Sequence, residues 1–154
     1  VFADYMAAYG RAGWRAMQYN RLKALGALYW YTVEFGLMLE DGDLRAYGAG
    51  ILSGPTEVQY ALEARSPNRI MLDVDRVMRT DYVISDLQNT YFVIESLEDL
   101  FRRTEQRDFA KLYQRLSAHF TYATTAVIDT DDVVHLGTQE YDLRGGLGSG
   151  ARPV

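Results

Sequence analysis

The sequence contains no cysteine in 154 residues. Disulfides, zinc fingers, iron–sulfur clusters and thiol nucleophiles are therefore excluded from it. Histidine is almost as scarce. His119 and His135 are the only two, and they form no HxxxH or HExxH pair. Each reads as an ordinary surface histidine rather than a ligand. No GxSxG elbow supports a serine nucleophile. No apolar run is long enough to span a bilayer, because the longest nearly uncharged stretch, Ala24–Leu39, is interrupted by Glu34. No secretion signal is visible. Positive charge is also in deficit: 16 Lys and Arg face 21 Asp and Glu, for a net charge of −5 and a pI near 5.0. That balance argues against wholesale binding to nucleic acid or to an anionic membrane. A cytoplasmic setting is the expectation. The chain opens on Val1 rather than Met, so a processed, engineered or incomplete product is expected.

Hydrophobic residues make up 48% and charged residues 24%, as in a globular domain. A chain of this length can bury roughly 70% of its unfolded surface in one core. No internal repeat is visible. Phe2, Tyr5, Met6 and Tyr9 follow helical spacing, loosened by Gly10 and Gly13, with Trp14 and Met17 as a short continuation. Asn20 is expected to cap a second helix from Arg21. That helix carries apolar residues on both faces: Leu22, Leu25, Tyr29 and Val33 on one, Ala27, Trp30, Tyr31 and Met38 on the other. It should be buried. Asp41-Gly42 predicts a hairpin joining Leu37–Glu40 to Asp43–Tyr47. Pro55 suits the first turn of a short helix. Ser66-Pro67-Asn68 reads as a loop, and Val74, Val77 and Met78 as a short helix. Tyr82–Ile84 and Thr90–Ile94 read as strands. Ser96-Leu97-Glu98-Asp99 has capping-box form and opens a helix expected to break near Gln106-Arg107. Beyond about Phe120 the periodicity fades. Residues 121–154 are read as an acidic, then Gly-rich, mobile tail with no core role.

Glu34 is the sharpest chemical signal. A carboxylate inside an apolar helix needs a cation, either a metal ion or an arginine. Gly48-Ala49-Gly50-Ile51-Leu52-Ser53-Gly54 is neither GxGxxG nor a Walker loop. It reads as backbone that approaches another element closely, with Ser53 satisfying the start of the next helix. Asp129-Thr130-Asp131-Asp132 imitates a calcium loop but has Val133 and Val134 where a ligand and a glycine are required. A solvated acidic loop is the better reading.

Several strings resemble one known family. LYWYTVEFGL at Leu28–Leu37 resembles the signature of the pterin-dependent aromatic amino acid hydroxylases. VFADYMAAYGRAG at Val1–Gly13 and AYGAGILS at Ala46–Ser53 are similar to further motifs in the family's order. SPNRIMLDVDRVMRTDYVI and LQNTYFVIESLEDLF, within Ser66–Phe101, look most like its bacterial phenylalanine-hydroxylating members. The resemblance covers roughly residues 1–116. It implies a mainly α fold with a small β component: the C-terminal half of a helical basket, with residues 1–120 as the C-terminal part of the catalytic domain. It implies Fe²⁺ held by two histidines and one glutamate, a set that leaves positions open for oxygen chemistry. Tetrahydropterin and dioxygen would be consumed in hydroxylating the ring of L-phenylalanine.

Residue by residue, the resemblance puts Glu34 at the carboxylate ligand and Tyr29 near the pterin and iron. Trp30 and Phe35 match aromatics of the amino-acid pocket. Gly50 would admit backbone close to substrate, and Ser53 matches a hydroxyl supporting a metal-bound histidine and the substrate's carboxylate side. The family's HxxxxH pair, its pterin-stacking loop and its carboxylate-gripping arginine are expected upstream of Val1. Ser53-Gly54 stands where many members have Ser-Ser. The long C-terminal helix of tetrameric animal members is missing, which favours a monomer. The alternative expectation is a non-catalytic domain derived from the family, binding a small aromatic ligand or a protein partner. An HxxxxH motif directly before Val1 would separate the two.

Overall fold

The computed structural model describes residues 2–116 and 121–140. His119 and the Gly-rich end after residue 140 lie outside the described residues. Seven helices and five strands are described: α1 Phe2–Gln18, α2 Leu22–Tyr29, β1 Leu37–Glu40, β2 Asp43–Ala46, α3 Ala49–Leu52, α4 Pro55–Glu63, β3 Asn68–Met71, α5 Val74–Val77, β4 Thr90–Ile94, α6 Leu97–Glu105, α7 Phe109–Arg115 and β5 Val133–His135. A π-helical turn, Trp30–Glu34, follows α2 directly.

The strands form one mixed sheet in the order β2-β1-β4-β3-β5. β1 and β3 run parallel to β4, while β2 and β5 are antiparallel edge strands. The β component is this one five-stranded sheet, set among seven helices. The central strand β4 explains how helices cover both faces. Its side chains alternate, and all five residues are buried. Phe92 and Ile94 join a core with Tyr5, Leu25, Leu28, Tyr31, Val77, Leu100, Leu112 and Tyr113, built from α1, α2 and α5–α7. Tyr91 and Val93 join a second core with Leu37, Ile51, Tyr60 and Ala61, built from β1, α3 and α4. A strand covered on both sides shows no polar alternation.

Local chemistry sets the element ends. α1 runs unbroken through Gly10 and Gly13. Trp14 and Met17 point outward, 69% and 62% exposed, and the buried stripe is Tyr5, Ala8, Ala12 and Ala16. Asn20 does not cap α2. It stops α1, sitting at φ +54° while Arg21 N–H donates to the Ala16 carbonyl at 2.8 Å and Asn20 N–H to that of Met17 at 3.2 Å. This crossed pair of bonds closes a helix on a left-handed residue, a conformation asparagine tolerates. Asp41 (φ +53°) and Gly42 (φ +86°) make the hairpin turn with two positive φ angles. Pro55 occupies the first turn of α4. Ser96 Oγ accepts from Asp99 N–H at 3.0 Å and opens α6, which ends at Glu105 as the sequence suggests. Tyr82–Ile84 is not a strand despite its composition, and Asn68 starts one rather than ending a loop.

Arg69 on β3 is 3% exposed and pairs with no carboxylate among the described residues. It donates to the carbonyls of Ala61 (2.8 Å), Ala64 (2.8 Å) and Tyr60 (3.4 Å) at the end of α4. The negative end of the helix serves as its counter-charge. α4 is thereby pinned to the sheet.

Residues 121–140 dock, contrary to the expected tail. Tyr122 bridges to Thr80, and β5 extends the sheet beside β3. Gly137, Thr138 and Gln139 bond through their backbone N–H groups to Asn68 Oδ1 and to the carbonyls of Arg65 and Ser66. A Cβ at Gly137 would lie 2.0 Å from the Ser66 carbonyl oxygen. Asp131, expected in a solvated loop, is a buried partner of Arg76 with its side chain 2% exposed. Among the described residues no helix is long and apolar enough to cross a membrane.

Candidate functional site

The helix begun at Leu22 widens at its end. Phe35 N–H donates to the Trp30 carbonyl five residues back, at 2.8 Å. Thr32 Oγ1 donates to the Leu28 carbonyl at 2.5 Å, and Tyr5 Oη shares a 2.9 Å hydrogen bond with the same hydroxyl. A threonine that bonds back to residue i−4 inserts itself into the helical ladder. Such π turns are frequent at functional sites, and Trp30 and Glu34 sit on this one with Tyr29 and Phe35 at its two ends. Thr32→Val should cost about 1–2 kcal/mol, since two buried groups lose the hydroxyl. Urea unfolding measures it, and an unchanged midpoint would show that the hydroxyl contributes nothing there.

Glu34 ends the turn and is half-buried. Its Oε1 accepts from Tyr29 Oη at 3.0 Å. That bond, together with burial and the negative charge of Glu34, raises the Tyr29 phenol above its ordinary value. Among the described residues Glu34 forms no salt bridge, so the arginine reading of its charge has no partner here. Trp30 is held on three sides. Its ring lies 4.7 Å from Phe35 and 5.4 Å from Tyr82, the latter stacked at 25°. Its indole N–H donates to Gln88 Oε1 at 3.0 Å.

The glycines after β2 explain why the turn and α3 lie so close. A Cβ on Gly48 would sit 2.4 Å from the Glu34 carbonyl oxygen, and one on Gly50 would sit 2.9 Å from the Phe35 ring. The close-approach reading of this segment therefore holds. Ser53 does not cap α4. Its Oγ donates to the Gly50 carbonyl at 2.6 Å and closes α3 instead. Gly48→Ala should lose roughly 1–3 kcal/mol, because the clash is with backbone that cannot rotate away. Thermal unfolding that matched the parent would contradict the contact.

Phe35, Gly50 and Ser53 line a cleft of about 560 Å³ together with Gly54, Thr56, Glu57, Ile84 and Leu87. Tyr29, Trp30 and Glu34 do not line it; Trp30 and Glu34 are on the π turn and Tyr29 is the residue before it. Burial pushes the Glu57 carboxyl up, and the hydrogen bond donated by Tyr91 Oη at 2.8 Å pulls it down. Sequence reasoning missed Glu57, Ile84, Leu87 and Gln88. Their spacing carries no motif: α4 brings Glu57 to the cleft, the loop after Tyr82 brings Ile84 and Leu87, and Gln88 meets Trp30.

His135 cannot join Glu34. It lies on edge strand β5, and β1, which continues from the π turn, is three strands away. At the usual spacing that is about 14 Å. Among the described residues no three His, Cys, Asp or Glu side chains converge on a point. The donor set available to a metal here is thus one unpaired carboxylate. It suits a hard divalent cation as a single ligand.

Residues 2–145 match the profile of the biopterin-dependent aromatic amino acid hydroxylases. The chain belongs to that family. Phenylalanine-4-hydroxylase of Caulobacter vibrioides is 50% identical over 151 residues, 98% of this chain and 51% of that protein. The Ralstonia nicotianae phenylalanine-4-hydroxylase is 51% identical over 140 residues, covering 91% of this chain and 44% of its own length. The iron- and phenylalanine-bound crystal structure of the Chromobacterium violaceum phenylalanine hydroxylase superposes with a TM-score of 0.83 at 45% identity, covering 86% of this chain and 49% of that one. The chain spans about half the length of the relatives it matches. Family membership gives the lone carboxylate a context that spacing alone could not.

Proposed function

We propose that this chain supplies the carboxylate ligand and one wall of the substrate pocket in an enzyme that converts L-phenylalanine to L-tyrosine. The observation that carries this reading is Glu34: a half-buried carboxylate on a π turn, held through one oxygen by Tyr29 and free of any salt bridge among the described residues. Fe²⁺ fits that position, and the iron with tetrahydropterin and dioxygen supplies the hydroxylating chemistry when bound. Glu34 contributes a hard anionic oxygen that offsets part of the metal's charge. Tyr29 fixes that carboxylate and flanks the pterin side. Phe35 offers an aromatic face to the substrate ring and Trp30 backs it, since neighbouring rings 4.7 Å apart restrict each other's rotation. Gly50 keeps the floor of the cleft at backbone level, and Ser53 holds the Gly50 carbonyl from the far side.

The test is a hybrid in which this chain replaces the stretch it matches in the Caulobacter relative. With Fe²⁺, tetrahydropterin and air the hybrid should form tyrosine from phenylalanine. The isolated 154-residue chain should bind Fe²⁺ only weakly and form none. A folded hybrid that binds iron but leaves phenylalanine unchanged would contradict the proposal. So would tight, stoichiometric iron binding by the isolated chain.

A further inference from the structure

We infer that Gln88 is a positioning residue that couples Trp30, which backs Phe35, to the loop that also lines the cleft; this rests on the function proposed above. Gln88 lies two residues before the start of β4 and is 2% exposed. Its Oε1 accepts from the Trp30 indole at 3.0 Å. Its Nε2 donates to the Val83 carbonyl at 2.9 Å and to the Asp86 carbonyl at 3.0 Å. The orientation of the amide is fixed by chemistry. An indole nitrogen only donates and carbonyl oxygens only accept, so the oxygen must face Trp30 and the nitrogen must face the loop. Both amide protons are used.

Both groups so joined reach the lining of the cleft. Trp30 packs against Phe35, which lines it. Ile84, Ser85, Asp86 and Leu87 line it as well. Ile84 is 74% exposed and belongs to no helix or strand, so little else anchors the loop tip. Tyr82 at the loop's start stacks on Trp30, its ring centroid 5.4 Å away. Tyr60 Oη of α4 donates to the Gln88 backbone carbonyl at 3.3 Å, holding the residue in place. One amide thus sets the shape of the cleft by tying both parts of its lining to the same point. Its effect on the reaction is exerted through Trp30 and the loop.

Two Trp side chains make the tether directly measurable in this chain. Trp14 is 69% exposed and serves as the internal control. The Trp30 indole proton should exchange with water at least about tenfold more slowly than that of Trp14, the protection expected of one buried hydrogen bond. Gln88→Met keeps the length and removes all three bonds, so the Trp30 proton should then exchange faster. In the hybrid enzyme Gln88→Met should raise KM for phenylalanine by about tenfold while kcat falls by less, because the walls hold substrate before chemistry. Gln88→Glu keeps the acceptor for Trp30 but sets a carboxylate oxygen against two carbonyls. It should protect the indole yet still raise KM. Equal exchange of the two indole protons in the unmodified chain overturns the tether, whatever the variants do. An active hybrid whose KM ignores both substitutions, with only its melting temperature lowered, overturns the positioning role alone. An unmodified hybrid that folds and is inactive overturns the function it rests on, and the role of Gln88 with it.

Discussion

Replacing Asp131 with Ala is expected to destabilise this chain by roughly 3–5 kcal/mol, the range for stranding one member of a buried ion pair. Arg76 and Asp131 have side chains only 4% and 2% exposed. Arg76 donates to Asp131 through Nε at 2.9 Å and through a terminal nitrogen at 3.2 Å. It also donates to Thr80 Oγ1 at 2.6 Å and to the Ala126 carbonyl at 2.7 Å, and its guanidinium lies 4.5 Å from the Tyr122 ring centroid. Asp131 Oδ2 in turn accepts from Ile128 N–H at 2.9 Å. The pair therefore ties α5 to the segment 121–131 and satisfies that segment's turn. Without Asp131 the guanidinium stays buried and loses its ion-pair partner among the described residues. Arg76→Leu together with Asp131→Leu should recover much of the loss, because an apolar pair leaves no charge to solvate. Urea unfolding of the two variants decides it. A loss below about 1 kcal/mol for Asp131→Ala would place the pair among weak surface bridges.

This ion pair also marks where the sequence stops being legible. Asp131 sits in an acidic run that looks solvated, and its partner is 55 residues away on α5. Nothing local announces the contact. The two strands that escaped notice share the same cause. β3 is four residues long and almost wholly buried, so it has no polar alternation, and β5 is three residues in a stretch without periodicity. Tyr82–Ile84 erred the other way: β-branched and aromatic residues that serve to stack on Trp30 and edge a cleft rather than to pair in a sheet. What was legible rested on strict backbone chemistry. Asp41-Gly42, Pro55 and the Ser96 cap each specify one local geometry, and each holds. At the site, the odd charge of Glu34 was visible in its apolar surroundings. The π turn that presents it was not, since it depends on Tyr5 and Thr32 meeting across 27 residues.

Glu34→Gln in the hybrid enzyme should cut hydroxylation by roughly 100-fold or more, since even groups that merely support a metal ligand are worth 10–100-fold. The amide is nearly the same shape as the carboxylate and can still accept from Tyr29, so the π turn should survive. What is lost is the anionic oxygen that, on the function proposed, would offset the charge of Fe²⁺. The protein without metal should therefore melt close to its parent. A structural role for the charge predicts a different outcome. An unpaired buried cation would appear and stability would fall by roughly 3–5 kcal/mol, but no such cation faces Glu34 among the described residues.

Bound iron and melting temperature, measured on the same sample of the Glu34→Gln hybrid, test the central claim most directly. The account predicts iron well below one per chain after anaerobic loading, with a metal-free melting temperature matching the parent's. Full iron occupancy in Glu34→Gln would contradict it and remove Glu34 from the metal site.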